Sequence, residues 1–428
     1  MKKFKMIFAG CAALVAVYLG LMLAFKCGLI GSPARKLDGI EEKGISFEEL
    51  TIPEDIKVVG IGEATHGNCE FQTAKLEMLK KQVETGKCHS IAFEMSTGEA
   101  AEINDAIHND DSDLREIMSR TNYPIYDTEQ LVELLTWMRD YNRDKTYEES
   151  LMFYGVDMQG PYREIEYLAG FAEKHTDLID KSELELISRM NTELESDKLD
   201  TVESNKEFFE KLRDRLSSED SFECKNASII AGSIVQWLDA PGFNEDPVAY
   251  GEHRDSSMAK NLKSEYELEV ERGYSQIIIT AHNGHVMKGD NEGYGEVAMG
   301  GHILDEFGGS YFCVGTEFYN ATVNIHTAGT FDEEYERADH DFCSDDRLAF
   351  QAKFFDGGRY VLDFTKLTKE DGKVYDLVHS PGMMGMVGEG HTDQVYIYKT
   401  YRQNLIQADR FDAVMYYYDV TPIRCLDY

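Results

Sequence analysis

Short apolar runs alternate with longer amphipathic stretches through most of the chain. The first run, Ile56–Ile61, is followed by a stretch of helical periodicity, Glu70–Val83. Short apolar runs rich in β-branched residues predict buried strands, whereas apolar residues spaced three and four apart predict helices. Further strands are predicted at Cys88–Met95, Leu151–Val156, Ser275–Ala281, Tyr311–Phe318, Tyr360–Phe364, Gln394–Tyr398 and Phe411–Val420. This alternation predicts an α/β fold with a mostly parallel central sheet flanked by helices.

The longest interruption of this pattern falls in the middle of the chain. Residues 162–240 are acidic, have helical periodicity and contain few β-branched runs, so we expect a helical insertion or cap lobe there. Residues 286–301 are rich in glycine, and residues 330–350 are acidic and irregular, which is typical of loops. We expect the globular domain to comprise residues 51–428, preceded by a linker with a lead-in helix at 31–50.

The N-terminal segment has a different composition from the rest. Three lysines within the first five residues precede an uncharged apolar run, Met6–Phe25. About 20 apolar residues are enough to span a bilayer. We therefore expect residues 1–30 to form a transmembrane anchor, with a cleaved signal segment as the alternative. A basic N-terminus favours the cytoplasmic side, so the large domain is expected outside the cell, either membrane-anchored or secreted.

The net charge limits the partners that the chain can bind. Asp and Glu number 79 against 43 Lys and Arg, giving a formal charge of −36 at pH 7. Such a surface repels phosphates, which argues against nucleic acid as a partner. The expected partner is a small molecule, and contact with a membrane is expected through the N-terminal segment only.

Acidic residues end three of the predicted strands. Glu63, Glu94 and Asp157 follow the first three apolar runs directly, and His66 lies three residues after Glu63. Ligands of open α/β sheets bind at the carboxyl ends of the strands, so these residues indicate a site at one sheet edge. Each residue alone is also compatible with a helix cap, and for Asp157 alone the cap is the preferred interpretation.

Two histidines follow the strongest predicted strand of the C-terminal half. His282 and His285 come directly after Ser275–Ala281, and Arg254 opens the predicted helix Glu252–Arg272. Arg254 alone is equally typical of a surface ion pair. Carboxylates beside imidazoles can activate water by general-base catalysis or can hold a metal ion that does so. The spacing matches no standard zinc motif, and the chain has no GxSxG, P-loop, GxGxxG or HExxH sequence.

Several of these motifs occur in an order that resembles the erythromycin esterase family. They are Gly62-Glu63-Ala64-Thr65-His66-Gly67, Phe93-Glu94, Gly155-Val156-Asp157, Arg254 with Met258 and Asn261, Ala281-His282-Asn283-Gly284-His285, and Phe411-Asp412-Ala413-Val414 through Thr421-Pro422. The resemblance extends from about residue 54 to the C-terminus. It implies an α/β core with a helical lobe and a deep cleft. Characterised members hydrolyse the lactone of macrolide antibiotics, and so confer antibiotic resistance, without a covalent intermediate.

The resemblance also implies roles for individual residues. His66 would be the general base, with Glu63 and Glu94 beside it. His282, His285 and Arg254 would line the site and assist the carbonyl or leaving oxygen. Lys75 lies where the family tends to have a basic residue and, with Asp157, is a candidate for substrate binding, although a solvated helix lysine is the alternative.

The predicted function is therefore hydrolysis of an ester or macrolactone by water that His66 activates, with no metal and no cofactor. Two alternatives remain open. One is a metal-dependent hydrolase that uses the same His and Glu cluster. The other is a non-catalytic surface protein that binds a small molecule or haem through the loop carrying His282 and His285.

Overall fold

The first predicted strand lies in the middle of a mostly parallel sheet. The structure, a computed structural model, describes residues 13–21, 35–121, 123–194, 196, 198–291, 295–327, 337–390, 395 and 398–426. The strands are β1 (Val58–Glu63), β2 (Cys88–Ser96), β3 (Met152–Asp157), β4 (Gln276–His282), β5 (Asp290–Asn291), β6 (Glu296–Val297), β7 (Tyr311–His326), β8 (Arg337–Cys343), β9 (Arg359–Asp363), β10 (Gly382–Gly385), β11 (Arg402–Leu405) and β12 (Ala413–Val420). Eight of them form the main sheet in the order β3-β2-β4-β1-β7-β12-β9, and β8 pairs with β7.

The pairing directions confirm the predicted α/β class. Strands β3, β2, β4, β1, β7 and β12 are parallel to their neighbours, whereas β9 and β8 pair antiparallel with β12 and β7. All six residues of β1 are buried, as expected for a strand covered on both faces. The apolar residues of β1 pack alternately into two cores, with Val59 and Ile61 on one face and Val58 on the other.

Helices cover both faces of the sheet. They are α1 (13–21), α2 (Ile40–Lys43), α3 (Cys69–Val83), α4 (Thr97–Ile107), α5 (Leu114–Met118), α6 (Glu129–Asn142), α7 (Tyr162–Lys174), α8 (Lys181–Leu194), α9 (Asp200–Glu203), α10 (Lys206–Ser217), α11 (Phe222–Asp239), α12 (Pro247–Glu271), α13 (Asn283–Val286), α14 (Met299–Phe307), α15 (Lys373–Val378) and α16 (Gln407–Arg410). Helices α7 to α11 form the expected helical lobe, whose own apolar core includes Phe171, Phe209 and Ile230. Residues 35–50, expected as a linker with a lead-in helix, pack onto the domain through Ile40, Phe47 and Leu50.

Three expectations about the C-terminal half need correction. Residues 337–343, expected to be irregular, form the strand β8, because pairing with β7 satisfies its backbone although its exposed sequence lacks an apolar face. The glycine-rich stretch 286–301 contains the short pair β5 and β6 and the start of α14 rather than a continuous loop. In the predicted strand Gln394–Tyr398, residues 395 and 398 are helical, and the other three lie outside the described residues.

Most of the predicted membrane anchor lies outside the described residues. Residues 13–21 form a helix with exposed apolar side chains, among them Leu14 and Leu19. Within the stretches that the structure describes, no helix has both the length and the hydropathy needed to cross a bilayer.

The end of β1 approaches α13 too closely for a side chain at residue 62. A Cβ on Gly62 would overlap Asn283 Oδ1 and come within 2.7 Å of Val286 Cγ2. Asn283 cannot move aside easily, since its amide donates to the Thr316 carbonyl at 2.8 Å and its oxygen accepts from the Thr316 amide at 3.3 Å. Close approach therefore explains this glycine, because its φ is not positive.

We predict that Gly62→Ala lowers the free energy of unfolding by about 1–3 kcal/mol, the usual cost of forcing an extra group into a packed interior. Urea unfolding followed by circular dichroism measures this change. Gly309→Ala is the control, because a Cβ there meets no atom within 4 Å and φ is ordinary. Equal effects of the two substitutions would contradict the packing explanation.

Candidate active site

The ends of four neighbouring parallel strands bring the predicted site residues together. Glu63 ends β1 and lies in register with His282 at the end of β4. Glu94 lies near the end of β2, and Asp157 ends β3, the next two strands across the sheet. Because parallel strands end at the same sheet edge, side chains that are far apart in sequence share one site.

Glu63 orients His66 through a hydrogen bond. The carboxylate is completely buried, and its Oε1 lies 2.8 Å from His66 Nδ1. When His66 is neutral, this bond places the proton on Nδ1 and leaves the Nε2 lone pair free to accept one. The second carboxylate oxygen accepts from Gln72 Nε2 at 2.9 Å and lies 2.8 Å from Lys75 Nζ. Glu63 can therefore orient His66 without leaving its own oxygens unpaired.

Lys75 is buried next to Glu63. Only 1% of the residue is exposed, so the interpretation of Lys75 as a solvated helix lysine is wrong. Its ammonium donates to Gln72 Oε1 at 2.8 Å and lies 5.2 Å and 5.1 Å from the ring centroids of Phe93 and Tyr126. Both rings present their faces to a cation, which is a favourable arrangement for a desolvated ammonium.

The charges in this group act on one another. Burial opposes ionisation of Glu63, but the charge of Lys75 and the hydrogen bond from His66 outweigh it, so the pKa of Glu63 lies below its ordinary value. Burial likewise opposes protonation of His66, yet the hydrogen bond and charge of Glu63 raise the pKa of His66. Burial lowers the pKa of Lys75, against the pull of Glu63. His66 is thus a stronger base than an isolated imidazole.

Arg254 joins the strand-end acids on the other side of the site. Its Nη2 lies 2.7 Å from both Asp157 Oδ2 and Glu94 Oε1, and its Nε donates to Asp157 Oδ1 at 3.0 Å. Asp157 is completely buried beneath the guanidinium and also accepts from the Tyr123 hydroxyl at 3.3 Å. The contact of Asp157 is therefore with Arg254, and it holds that guanidinium in place rather than lining an open surface.

His285 is fixed between two carboxylates. Its Nδ1 lies 2.8 Å from Asp255 Oδ1, and its Nε2 lies 3.3 Å from Glu94 Oε1. Burial works against protonation, but the charges of Asp255 and Glu94 raise the pKa of His285 to about 9. Burial would raise the pKa of Glu94, but His285 and Arg254 together hold it well below its ordinary range. Arg254 Nη1 also lies 3.2 Å from His285 Nε2, so the guanidinium and the imidazole both face the Glu94 carboxylate.

His282 is the neutral histidine of the site. Its Nδ1 accepts from the Gly284 amide at 3.2 Å, so the proton lies on Nε2. That Nε2 is buried and has no hydrogen-bond partner among the described residues. Burial and the nearby His66 and His285 lower the pKa of His282 to about 3. Its ring centroid lies 5.3 Å from that of His66, which places a donor with no partner among the described residues beside the His66 ring.

Two supporting residues escape sequence reasoning. Gln72 connects Glu63 to Lys75, and Asp255 orients His285 while accepting from the Met299 amide at 2.7 Å. Asp255 follows Arg254 directly, but one more acid on an acidic helix carries no distinctive pattern. A glutamine on an amphipathic helix is equally inconspicuous, so only the folded geometry identifies either residue.

The donor groups are not arranged as a metal centre. Within the described part of the chain, no group of three or more His, Cys, Asp or Glu side chains is placed to hold a metal ion. The ring nitrogens of His66 and His285 next to carboxylates are instead engaged in the bonds described above. These bonds are compatible with acid–base chemistry.

Comparison with protein families gives one match that covers most of the chain. A model described as erythromycin esterase matches residues 83–420. The matched stretch contains Glu94, Arg254, His282 and His285, whereas Glu63 and His66 lie before it. No curated protein sequence matches the chain.

Three solved structures share the fold. A protein from Bacillus cereus is 19% identical, with 91% of this chain and 98% of that chain aligned at a TM-score of 0.69. A succinoglycan biosynthesis protein is 17% identical over 91% and 97% of the two chains, with a TM-score of 0.69. A mutant of the erythromycin esterase EreC in its open conformation is 16% identical over 86% and 91%, with a TM-score of 0.59. At these identities the likeness extends to the fold alone.

We predict that Lys75→Met lowers the free energy of unfolding at pH 7 by about 3–5 kcal/mol, because it leaves the buried Glu63 carboxylate without its cation. Chemical unfolding measures the loss. Lys80→Met on the same helix is the control, since Lys80 is exposed and its replacement should stay within about 0.5 kcal/mol. A small loss for Lys75→Met would mean that Gln72 and His66 suffice to compensate Glu63.

Proposed function

Because the chain belongs to the erythromycin esterase family, we propose that it hydrolyses a carboxylic ester or lactone by water that His66 activates. Family membership supports esterase activity on a small molecule. The observation that carries the proposed mechanism is the 2.8 Å bond from His66 Nδ1 to the buried Glu63, which leaves Nε2 as a free base.

In the proposed reaction, His66 Nε2 takes a proton from a water molecule as the water oxygen attacks the ester carbonyl. Glu63 stabilises the imidazolium that forms. Collapse of the tetrahedral intermediate breaks the bond to the alcohol oxygen, and the proton held by His66 passes to that leaving oxygen. Acid and alcohol are released, and His66 returns to its neutral form without a covalent intermediate.

The negative charge that develops on the carbonyl oxygen needs a donor. His282 supports this role, because its neutral Nε2–H is buried beside His66 and has no partner among the described residues. A preorganised donor that is unused in the ground state stabilises an oxyanion effectively. Arg254 and the protonated His285 add positive charge on the same side. Glu94 holds both of these cations and accepts from the His282 amide at 3.0 Å.

The location of the enzyme is proposed from the sequence. The uncharged run Met6–Phe25 after a basic N-terminus supports a membrane anchor with the domain outside the cell, or a secreted domain if the segment is cleaved. Such a domain would meet esters or lactones, including macrolides, before they enter the cell.

We predict that His66→Ala lowers kcat by about 10²–10⁴-fold, the usual contribution of a general base. The full-length protein would be incubated with erythromycin and with a panel of simple lactones and esters, and mass spectrometry would detect the addition of one water. A parallel sample would contain EDTA. Hydrolysis lost in His66→Ala and kept in EDTA is the expected result.

Other outcomes of this experiment have distinct meanings. Hydrolysis that survives in His66→Ala would overturn the assignment of the base. Loss of activity in EDTA that Zn²⁺ restores would establish the metal-dependent alternative. Activity on simple esters alone would keep the reaction and reject the macrolide, and absence of any hydrolysis would favour a binding protein.

We predict that activity rises with pH through a pKa above 6.5, because only neutral His66 can accept a proton and Glu63 raises its pKa above that ordinary value. Glu63→Gln removes the charge that favours the imidazolium, so this acid limb should move to lower pH while kcat falls about 10²-fold or more. The pH profile of kcat/KM measures the shift of the acid limb, and the rate at saturating substrate measures the fall in kcat. Glu84→Gln is the control, because Glu84 is an exposed acid directly after α3, and it should leave the profile unchanged. An unmoved acid limb in Glu63→Gln would assign the pKa to another group.

A further inference from the structure

An exposed aromatic residue lies in the connection between α11 and α12. Phe243 is 61% exposed, and three polar or acidic residues, Asn244, Glu245 and Asp246, follow it directly. Its ring packs edge-on against Tyr250, with the centroids 5.5 Å apart and the planes at 85°. The two rings form one aromatic surface, which we call the aromatic rim. Exposure of an apolar ring to water is unfavourable in free energy, and burial of the ring under a ligand would remove this contribution.

Tyr250 places the aromatic rim near Arg254 of the proposed site. Tyr250 and Arg254 are four residues apart on α12, so their side chains leave the same face of the helix, about 6 Å apart along its axis. The charges of Arg254 and Asp157 both act on the pKa of the Tyr250 phenol, which burial raises, in keeping with its position near these groups. A molecule that contacts Arg254 can therefore extend over Tyr250 towards Phe243.

The helix that carries Tyr250 and Arg254 is held in place on two sides. Asn261 Nδ2 donates to the Val156 carbonyl of β3 at 2.8 Å, which ties α12 to the sheet. His253 Nε2 lies 2.8 Å from the Gln236 carbonyl of α11. The distance between Tyr250 and the strand-end residues is thus fixed by the docking of α12.

We propose that Phe243 and Tyr250 bind the apolar substituent of the ester substrate where that substituent extends beyond the strand-end residues. This inference rests on the proposed function and narrows the substrate to esters with a large apolar group. The size of the surface favours such a ligand over a protein, because two rings offer far less than the roughly 800 Å² per partner that a stable protein interface buries. Aromatic rings near a polar site suit a ligand that is apolar at one end and carries a carbonyl at the other.

The test compares p-nitrophenyl decanoate with p-nitrophenyl acetate on the full-length protein. The wild type is expected to prefer the decanoate in kcat/KM, and Phe243→Ala should lower the decanoate-to-acetate ratio about tenfold. Tyr250→Ala should do the same, whereas Tyr250→Phe should keep the preference because the ring remains. Phe354→Ala is the matched control, since Phe354 is 38% exposed and packs against Phe350 instead. A ratio that Phe243→Ala leaves unchanged would overturn the proposal.

Calorimetric binding of the neutral amides decanamide and acetamide separates this proposal from the proposed function. Tighter binding of decanamide that is lost in Phe243→Ala supports the aromatic rim even if the protein hydrolyses no ester, in which case only the proposed reaction fails. Hydrolysis without any effect of Phe243→Ala on decanamide binding rejects the aromatic rim and leaves the reaction standing. Melting temperatures of all variants exclude unfolding as the cause of a lost preference.

Discussion

The desolvation of carboxylates at the strand ends is the constraint on which the site depends. Glu63 and Asp157 are fully buried at the ends of β1 and β3, and an ionised carboxylate in such a place is tolerated only when it is paired and hydrogen-bonded. Two basic side chains on helices meet this requirement: Lys75 of α3 pairs with Glu63, and Arg254 of α12 pairs with Asp157. The helices must therefore dock in one orientation, so the charge pairs specify the geometry of the site as well as its electrostatics.

These pairs divide the site into two halves with a neutral histidine between them. In one half Glu63 raises the pKa of His66, and in the other Asp255 and Glu94 raise that of His285 to about 9. Burial and the nearby His66 and His285 lower the pKa of His282 to about 3, although Glu94 and Glu63 act in the opposite direction. Three histidines within one site thus have different protonation preferences, which is what separate roles as base, neutral donor and cation require.

The sequence predicts the residues at the strand ends well, but it predicts poorly the residues that pair with them. The apolar runs determine where β1 to β4 end, and parallel pairing then brings Glu63, Glu94 and His282 to one edge. Lys75 lies on a helix whose amphipathic pattern is equally compatible with exposure, and only the opposing rings of Phe93 and Tyr126 reveal its burial. Local patterns fail to predict β8 for a similar reason. Its sequence has no apolar alternation, and the strand depends on its pairing with β7. Local sequence patterns do not identify residues whose role depends on a partner far away in the sequence.

The charge balance of the site also bears on what it can accept. The acids at the strand ends are paired internally with Lys75, Arg254 and His285, so their charges are largely neutralised before a ligand arrives. A ligand carrying a full charge would have to compete with these pairs for its counterion, at the desolvation cost of both partners. A neutral ester carbonyl needs only the unused donor of His282 and adds no charge until the transition state. In the proposed reaction the internal pairing therefore favours neutral substrates, and the role proposed for Phe243 and Tyr250 is to select among them by apolar contact.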